Sequence, residues 1–177
     1  MCKPGLMSDH HKRRTIESSI SIPAAPENIW ENITNVRIEQ FSDPFIFRLL
    51  GIPKPLKAEL IAEGVGGSRI AYFSSGKRFV QKILTWDPLK EYRFSFNPEK
   101  GFRVGYLFEL SSGVFQILEG AYYLQTNDGS TNLKLVTNYS LHRNIDWLLR
   151  WPVKLILNIF QRYLLVSIKR NSCNGRH

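Results

Sequence analysis

The side chains that most often carry catalysis are few in this sequence and stand apart. The four histidines are His10, His11, His142 and His177. Three of them lie near an end of the chain, and no second ligand accompanies His142 at the spacing of a metal site. A structural histidine is therefore the simpler interpretation, and we expect no metal.

The remaining chemical motifs are also missing. Cys2 and Cys173 lie near the ends, without an acid or base partner at a readable spacing. The glycine-rich stretch 64–67 joins two predicted strands rather than opening a helix, so it does not predict a phosphate or dinucleotide site. No catalytic residue can be assigned, and we expect no cofactor. Cysteines so few and so peripheral favour a reducing, cytoplasmic compartment, and the charged N-terminus lacks the apolar run of a secretory signal.

Isolated polar side chains on apolar strands are better candidates for a binding role. On the predicted strands, the side that carries the apolar residues also carries Gln81, Tyr92, Tyr122, Thr137 and Tyr139. A buried polar group without a hydrogen-bond partner is costly. These side chains therefore either bond one another or orient the polar group of a ligand.

Strands predicted from alternation must position these residues. They are Thr15–Ile22, Lys57–Glu63, Ser68–Ser74, Arg78–Trp86, Glu91–Asn97, Phe115–Thr126 and Thr131–Leu141. Short connections, including an Asp-Gly turn at 128–129, force antiparallel neighbours. The stretch 102–113 is either an edge strand or a mobile loop. Two short helices follow the first strand, one beginning at Pro26 and a second over 36–41. The apolar segment 43–55 is a loop that either packs onto the body or forms a lid over a cavity.

A long amphipathic helix is predicted from Asp146 to Arg170, because the spacing of apolar residues there changes from the alternation of a strand to the period of a helix. Its apolar stripe is Leu148, Leu155, Ile159, Tyr163 and Val166. Pro152 either kinks this helix or marks its first turn, and basic residues break every apolar window of membrane-spanning length. The surplus apolar surface is explained by a partner, a membrane surface or a deep ligand groove.

The order of elements predicts an α+β protein: about six or seven antiparallel strands curved around one long C-terminal helix. At 177 residues, one domain is expected. We place it at 14–170, between flexible tails at 1–13 and 171–177. Much of the net charge of +9 comes from basic residues in or beside these ends: Lys3, Lys12, Arg13, Arg14, Lys169, Arg170 and Arg176. Since no basic and aromatic cluster remains in the body, a nucleic-acid partner is not expected. Solvated tails are the simpler interpretation, and weak attraction to anionic lipid is the alternative.

Four stretches together suggest a family: Ile20–Trp30, Gly64–Arg69, Ile83–Phe94 and Asp128–Leu133. In their order and spacing the chain resembles the START-like helix-grip superfamily (SRPBCC), in particular its polyketide cyclase/dehydrase and lipid-transport branch. The resemblance implies a cavity between sheet and helix that holds a lipid, polyketide or isoprenoid-like molecule. Members often carry an inward acidic residue where this chain has Gln81, and an amide there removes the charge that acid–base chemistry would use.

The inferred concave face gives the predicted ligand contacts. From the strands they are Ala71, Phe73, Phe79, Gln81, Ile83, Tyr92, Phe94, Tyr122, Leu135, Thr137 and Tyr139, and from the helix Trp151, Leu155 and Ile159. For the aliphatic members, plain core packing is the simpler explanation.

Three functions fit these observations. The first and favoured one is a carrier that binds a hydrophobic small molecule without catalysis. The second is a metal-free cyclase or dehydratase that uses Tyr and Gln hydrogen bonds. An acid or histidine pointing into the cavity would favour this enzyme. The third is a lipid or quinone chaperone that docks on membranes through the C-terminal helix, which exposure of Trp147, Leu157 and Leu165 would favour. A homodimer is a further option.

Overall fold

A computed structural model describes residues 10–36, 44–104, 106, 108–110 and 113–174. The strands are β1 (His11–Ile22), β2 (Pro55–Ala62), β3 (Ser68–Phe73), β4 (Arg78–Asp87), β5 (Glu91–Ser95), β6 (Asn97–Pro98), β7 (Arg103–Val104), β8 (Phe108–Glu109), β9 (Phe115–Asn127) and β10 (Ser130–His142). The helices are α1 (Pro26–Thr34), α2 (Phe45–Leu50) and α3 (Asp146–Asn174), the last preceded by a short 3-10 turn.

One antiparallel sheet runs in the order β1-β10-β9-β5-β4-β3-β2, with β6 paired to β4, and β7 and β8 form a separate ribbon. The Asp128-Gly129 turn joins β9 to β10, and Gly129 has the positive φ of +72° that such a tight turn requires. Helix α3 packs against β1, β10 and α1. This arrangement confirms the predicted α+β helix-grip architecture.

An ion pair fixes where the long helix begins. Arg14 of β1 donates to both carboxylate oxygens of Asp146, at 2.8 and 2.6 Å. The two parallel bonds hold the pKa of Asp146 below its usual range, and a carboxylate in the first turn of a helix is also favoured by the helix dipole. The first strand therefore defines the start of the last helix.

A buried amide fixes the rotation of the same helix. Gln161 is 1 % exposed. Its Nε2 donates to the Thr137 hydroxyl at 2.9 Å and to the Ile16 carbonyl at 3.3 Å, and its Oε1 accepts from the Ser18 hydroxyl at 2.8 Å. These bonds join α3 to both β1 and β10. The inward side of α3 consequently carries Val153, Leu157, Gln161, Leu165 and Ile168, all of them buried.

The apolar stripe predicted for this helix was therefore wrong in phase. Leu148, Leu155 and Val166 are exposed, because the buried Gln161 faces the sheet and turns these residues toward solvent. Pro152 lies inside the helix rather than at its first position.

The regular elements extend beyond the predicted domain bounds of 14 and 170. Strand β1 begins at His11, and its first residues pair with the end of β10. Helix α3 continues past Arg170, and Ser172 is buried. Residues 11–13 and 171–174 thus belong to regular elements, whereas 1–9 and 175–177 lie outside the described residues.

The region between α1 and β2 differs from the prediction in a way that matters for the cavity. Val36 forms an isolated bridge with Ala58, and the rest of the predicted second helix, 37–41, lies outside the described residues. The second short helix of the structure is α2, within the segment predicted to be a loop. Its Phe47 is buried and packs against Tyr163 at 4.5 Å between ring centroids. The stretch 102–113, for which an edge strand and a mobile loop were the alternatives, contains the short β7–β8 ribbon.

The Gln161 amide generates a stability prediction. Replacing Gln161 with Leu should lower the free energy of unfolding by about 2 kcal/mol, because the buried Ile16 carbonyl and Thr137 hydroxyl lose their partner. Urea unfolding followed by circular dichroism measures the change. The neighbouring exposed Arg162→Leu is the matched control and should stay within about 0.5 kcal/mol. Equal losses in the two variants would contradict a structural role for the amide.

Candidate functional site

An internal cavity of about 120 Å³ lies between α3 and the inner sheet face. Most of the predicted strand residues border it: Ala71, Phe73, Phe79, Gln81, Phe94, Tyr122, Leu135 and Thr137. Alternation along β3, β4, β5, β9 and β10 places these side chains on one face, as the period of a strand requires. The wall is mostly apolar, with a few polar groups between aromatic rings.

The structure does not bring the other predicted residues to this cavity. Ile83, Tyr92 and Tyr139 are buried in the surrounding core. Trp151 and Leu155 are 65 % and 56 % exposed, and Ile159 borders a surface groove beside β1. The three helix residues lie away from this cavity because the Gln161 contact sets the rotation of the helix.

The helix contributes a different set of residues. Ile156, Leu157, Phe160, Gln161 and Leu164 form this side of the wall. Further residues that the sequence analysis did not select come from segments preceding β2 and around the β7–β8 ribbon: Ile52, Pro53, Pro55, Phe102, Val104 and Leu110. The apolar surplus in 43–55 was the sequence signal for the first of these groups, in which Ile52 is buried.

Gly120 on β9 is required by a close approach of aromatic rings. A Cβ placed there would lie 2.8 Å from the Phe94 ring and 3.1 Å from the Phe96 ring. Since Gly120 and both rings border the cavity, the missing side chain sets the position of the aromatic wall. Any larger residue would displace the Phe94 ring.

The most unusual member of the wall is Arg69, which the sequence analysis overlooked. Its guanidinium is buried, its Nε donates to Gln81 Oε1 at 2.8 Å, and its Nη1 donates to the Ile33 carbonyl at 2.5 Å. The cation also lies 5.1 Å from the Tyr92 ring centroid and 5.2 Å from that of Phe94. Alternation could have found it, because Arg69 precedes Ala71 and Phe73 by steps of two on β3.

Two buried tyrosines beside Arg69 have altered acidity. Burial raises the pKa of Tyr122 to about 12, although the positive charge of Arg69 acts in the opposite direction. Burial likewise raises the pKa of Tyr92, whose hydroxyl is buried without a hydrogen-bond partner in the described structure. Both phenols are therefore neutral at ordinary pH. Tyr122 borders the cavity and can offer its proton to a ligand.

The chemistry available on the described wall is hydrogen bonding and a positive charge. The lining residues include no carboxyl or imidazole group. No cluster of three or more potential metal ligands occurs among the residues that the structure describes.

Comparison with known proteins identifies the fold. No family model and no curated sequence matches the chain. Solved structures do: norcoclaurine synthase from Thalictrum flavum, with 17% identity, TM-score 0.60 and coverage of 97% of this chain and 99% of the other; and TTHA0849 from Thermus thermophilus, with 16% identity, TM-score 0.61 and coverage of 93% and 100%. Ara h 8.0201 matches with 14% identity, TM-score 0.59 and coverage of 93% and 100%. At these identities the likeness shows the helix-grip fold alone.

The buried phenol of Tyr122 predicts a loss of stability at alkaline pH. With a folded pKa of about 12 and an unfolded pKa of about 10, the residue binds its proton more tightly when folded. Its contribution is complete below pH 10 and is lost as the pH rises toward 12, by about 1.4 kcal/mol per pH unit. Urea unfolding at several pH values, compared with Tyr122→Phe, measures this. The variant should have a shallower pH dependence, and identical slopes would show that Tyr122 titrates normally.

Proposed function

We propose that this protein binds a small hydrophobic molecule in the cavity between sheet and helix. The observation that carries the proposal is the composition of the wall, in which aromatic and aliphatic side chains surround Gln81, Tyr122, Thr137 and Gln161. Apolar walls with a few polar groups are the usual form of small-molecule sites. The helix-grip fold shared with the matched structures is consistent with such a site.

The volume limits the size of the ligand. A cavity of about 120 Å³ is close to the roughly 150 Å³ of an engineered cavity that holds benzene. A single ring or a short chain therefore fits the described shape, and a longer molecule requires movement of wall residues such as Ile52 and Pro53. Norcoclaurine synthase, which shares the fold, has been solved in complex with dopamine and hydroxybenzaldehyde, both of them single-ring molecules.

We propose that the protein binds this molecule without catalysing its reaction. A cyclase or dehydratase would need a general base near the substrate, and the described wall supplies only neutral amides, hydroxyls and cations. Burial of Tyr122 raises its pKa, so this phenol stays protonated at neutral pH, where it can donate a hydrogen bond but cannot accept a proton as a general base. Catalysis remains the alternative, and turnover of a bound molecule would establish it.

Filling the cavity should abolish binding. Ala71 borders it, and Ala71→Trp should reduce the binding of toluene, a neutral single-ring probe, at least tenfold, measured by isothermal titration calorimetry. Val80→Trp on the neighbouring strand, whose side chain is exposed, is the matched control and should bind like the wild type. If the wild type binds neither toluene nor any other apolar probe of one ring or a short chain above background, the proposed function fails.

A second candidate function is attachment to an anionic membrane surface, for which α3 provides a specific observation. Trp147 and Trp151 are 75 % and 65 % exposed, and Leu148 and Leu155 are exposed near them. The cations of Arg150 and Lys154 lie 5.2 and 5.7 Å from the Trp151 ring centroid. Tryptophan with adjacent basic residues suits the lipid interface. Exposure of Leu157 and Leu165 would also have favoured this function, but both residues are buried.

The geometry fits surface contact only. None of the described helices has a stretch that is both long and apolar enough to cross a membrane. Basic residues contribute about 1 kcal/mol each near an anionic surface, so attachment through Arg150 and Lys154 would be weak and sensitive to salt.

Substituting the two tryptophans tests this attachment. Trp147→Ser with Trp151→Ser should reduce cosedimentation with vesicles of phosphatidylserine and phosphatidylcholine several-fold. The control pair Ile61→Ser with Val65→Ser removes comparably exposed apolar residues from β2 and its turn and should bind like the wild type. Equal binding by both double variants would exclude α3 as the attachment surface.

A further inference from the structure

The cavity wall holds a positive charge for which the described residues supply no counter-charge. Two of the lining residues, Lys57 and Arg69, are cations, and no described lining residue is an acid. Lys57 is paired with Glu59 at the surface. Arg69 is 5 % exposed, and no ion pair joins it to any residue in the described part of the chain. A buried charge without a partner is unfavourable, so this residue requires an explanation.

Neutral groups hold the guanidinium in place without neutralising it. Nε and Nη1 donate to Gln81 and to the Ile33 carbonyl at the end of α1. The Tyr92 and Phe94 rings lie close to the cation. A guanidinium has five N–H donors, and within the described structure two of them have acceptors. The remaining donors belong to a group that borders the cavity.

We propose that the ligand of this cavity is an apolar carboxylic acid whose carboxylate bonds to Arg69. The inference rests on the proposed binding function and names the class of ligand. A guanidinium presents parallel donors that match the two oxygens of a carboxylate. The Tyr122 hydroxyl borders the same space, and because burial raises its pKa it keeps its proton and can donate to the same anion.

Gln81 is central to this inference. It faces Arg69 across the β3–β4 pair and offers the guanidinium an amide oxygen. A carboxylate at this position would neutralise Arg69 from within the protein. With an amide there, the positive charge remains available to a ligand.

The competing explanation is purely structural. By bonding to Ile33 and Gln81, Arg69 joins the end of α1 to the sheet, and this alone could account for its presence. In that case, changing the charge balance of the pair would affect folding, or all ligands alike. A dependence on the ligand's charge distinguishes the two explanations.

The decisive variant is Gln81→Glu, which keeps the shape of the side chain and supplies the missing carboxylate. The probes are two matched pairs: hexanoate with 1-hexanol, and 3-phenylpropanoate with 3-phenyl-1-propanol. They separate a fatty acid from an aromatic acid as the source of the carboxylate. Affinities are measured by calorimetry at pH 8, where the acids are ionised. Gln125→Glu, at an exposed position, controls for the change in net charge. Arg69→Met is a second variant, used after circular dichroism has confirmed its fold.

The wild type should bind at least one acid about tenfold more tightly than its alcohol, as expected of a buried charged hydrogen bond. Gln81→Glu and Arg69→Met should remove this preference, and Gln125→Glu should retain it. Equal binding of acid and alcohol by the wild type, or an acid preference that survives in Gln81→Glu, would overturn the inference while leaving the proposed function intact. If neither these probes nor toluene bind, both the inference and the proposed function fail.

Discussion

The buried amide of Gln161 is the contact on which the geometry of the cavity depends. Its bonds to Ser18, Ile16 and Thr137 attach the helix to two strands that are adjacent in the sheet but far apart in sequence. An amide in an apolar interior is stable only where its partners are placed, so it permits one rotation of α3. That rotation puts Leu157 and Phe160 against the cavity and leaves the Trp147 and Trp151 side chains in solvent.

The difference between the strands and the helix shows what the sequence could predict. In a strand, neighbouring side chains point in opposite directions, so one correct anchor such as Phe73 gives Ala71 and, by the same rule, Arg69. Arg69 was not predicted to face the cavity because an arginine in a strand is normally expected to be solvated. In α3, apolar residues occur on most sides of the helix, so their spacing hardly constrains which side faces the sheet. The deciding residue was polar, and its partners lie on other elements.

The charge of Arg69 relates features of the site that otherwise look independent. Aromatic rings on β5 and the carbonyl end of α1 both offer partial negative charge to a cation, and both lie against the guanidinium. Gly120 allows the Phe94 ring to occupy its place. The site is thus organised around a cation in an apolar setting, where electrostatic interactions are stronger than in water.

The order of strands leaves the sheet open, with β1 at one edge and β2 at the other. Unpaired edge strands are templates on which another chain can add a strand, the first step of many forms of aggregation. Here β2 begins with Pro55, which has no N–H to donate, and part of its edge is occupied by the bridge from Val36 to Ala58. Strand β1 instead exposes Lys12 and Arg13, whose charges repel a second copy of the same edge. The open sheet is thereby protected against growing into a fibre.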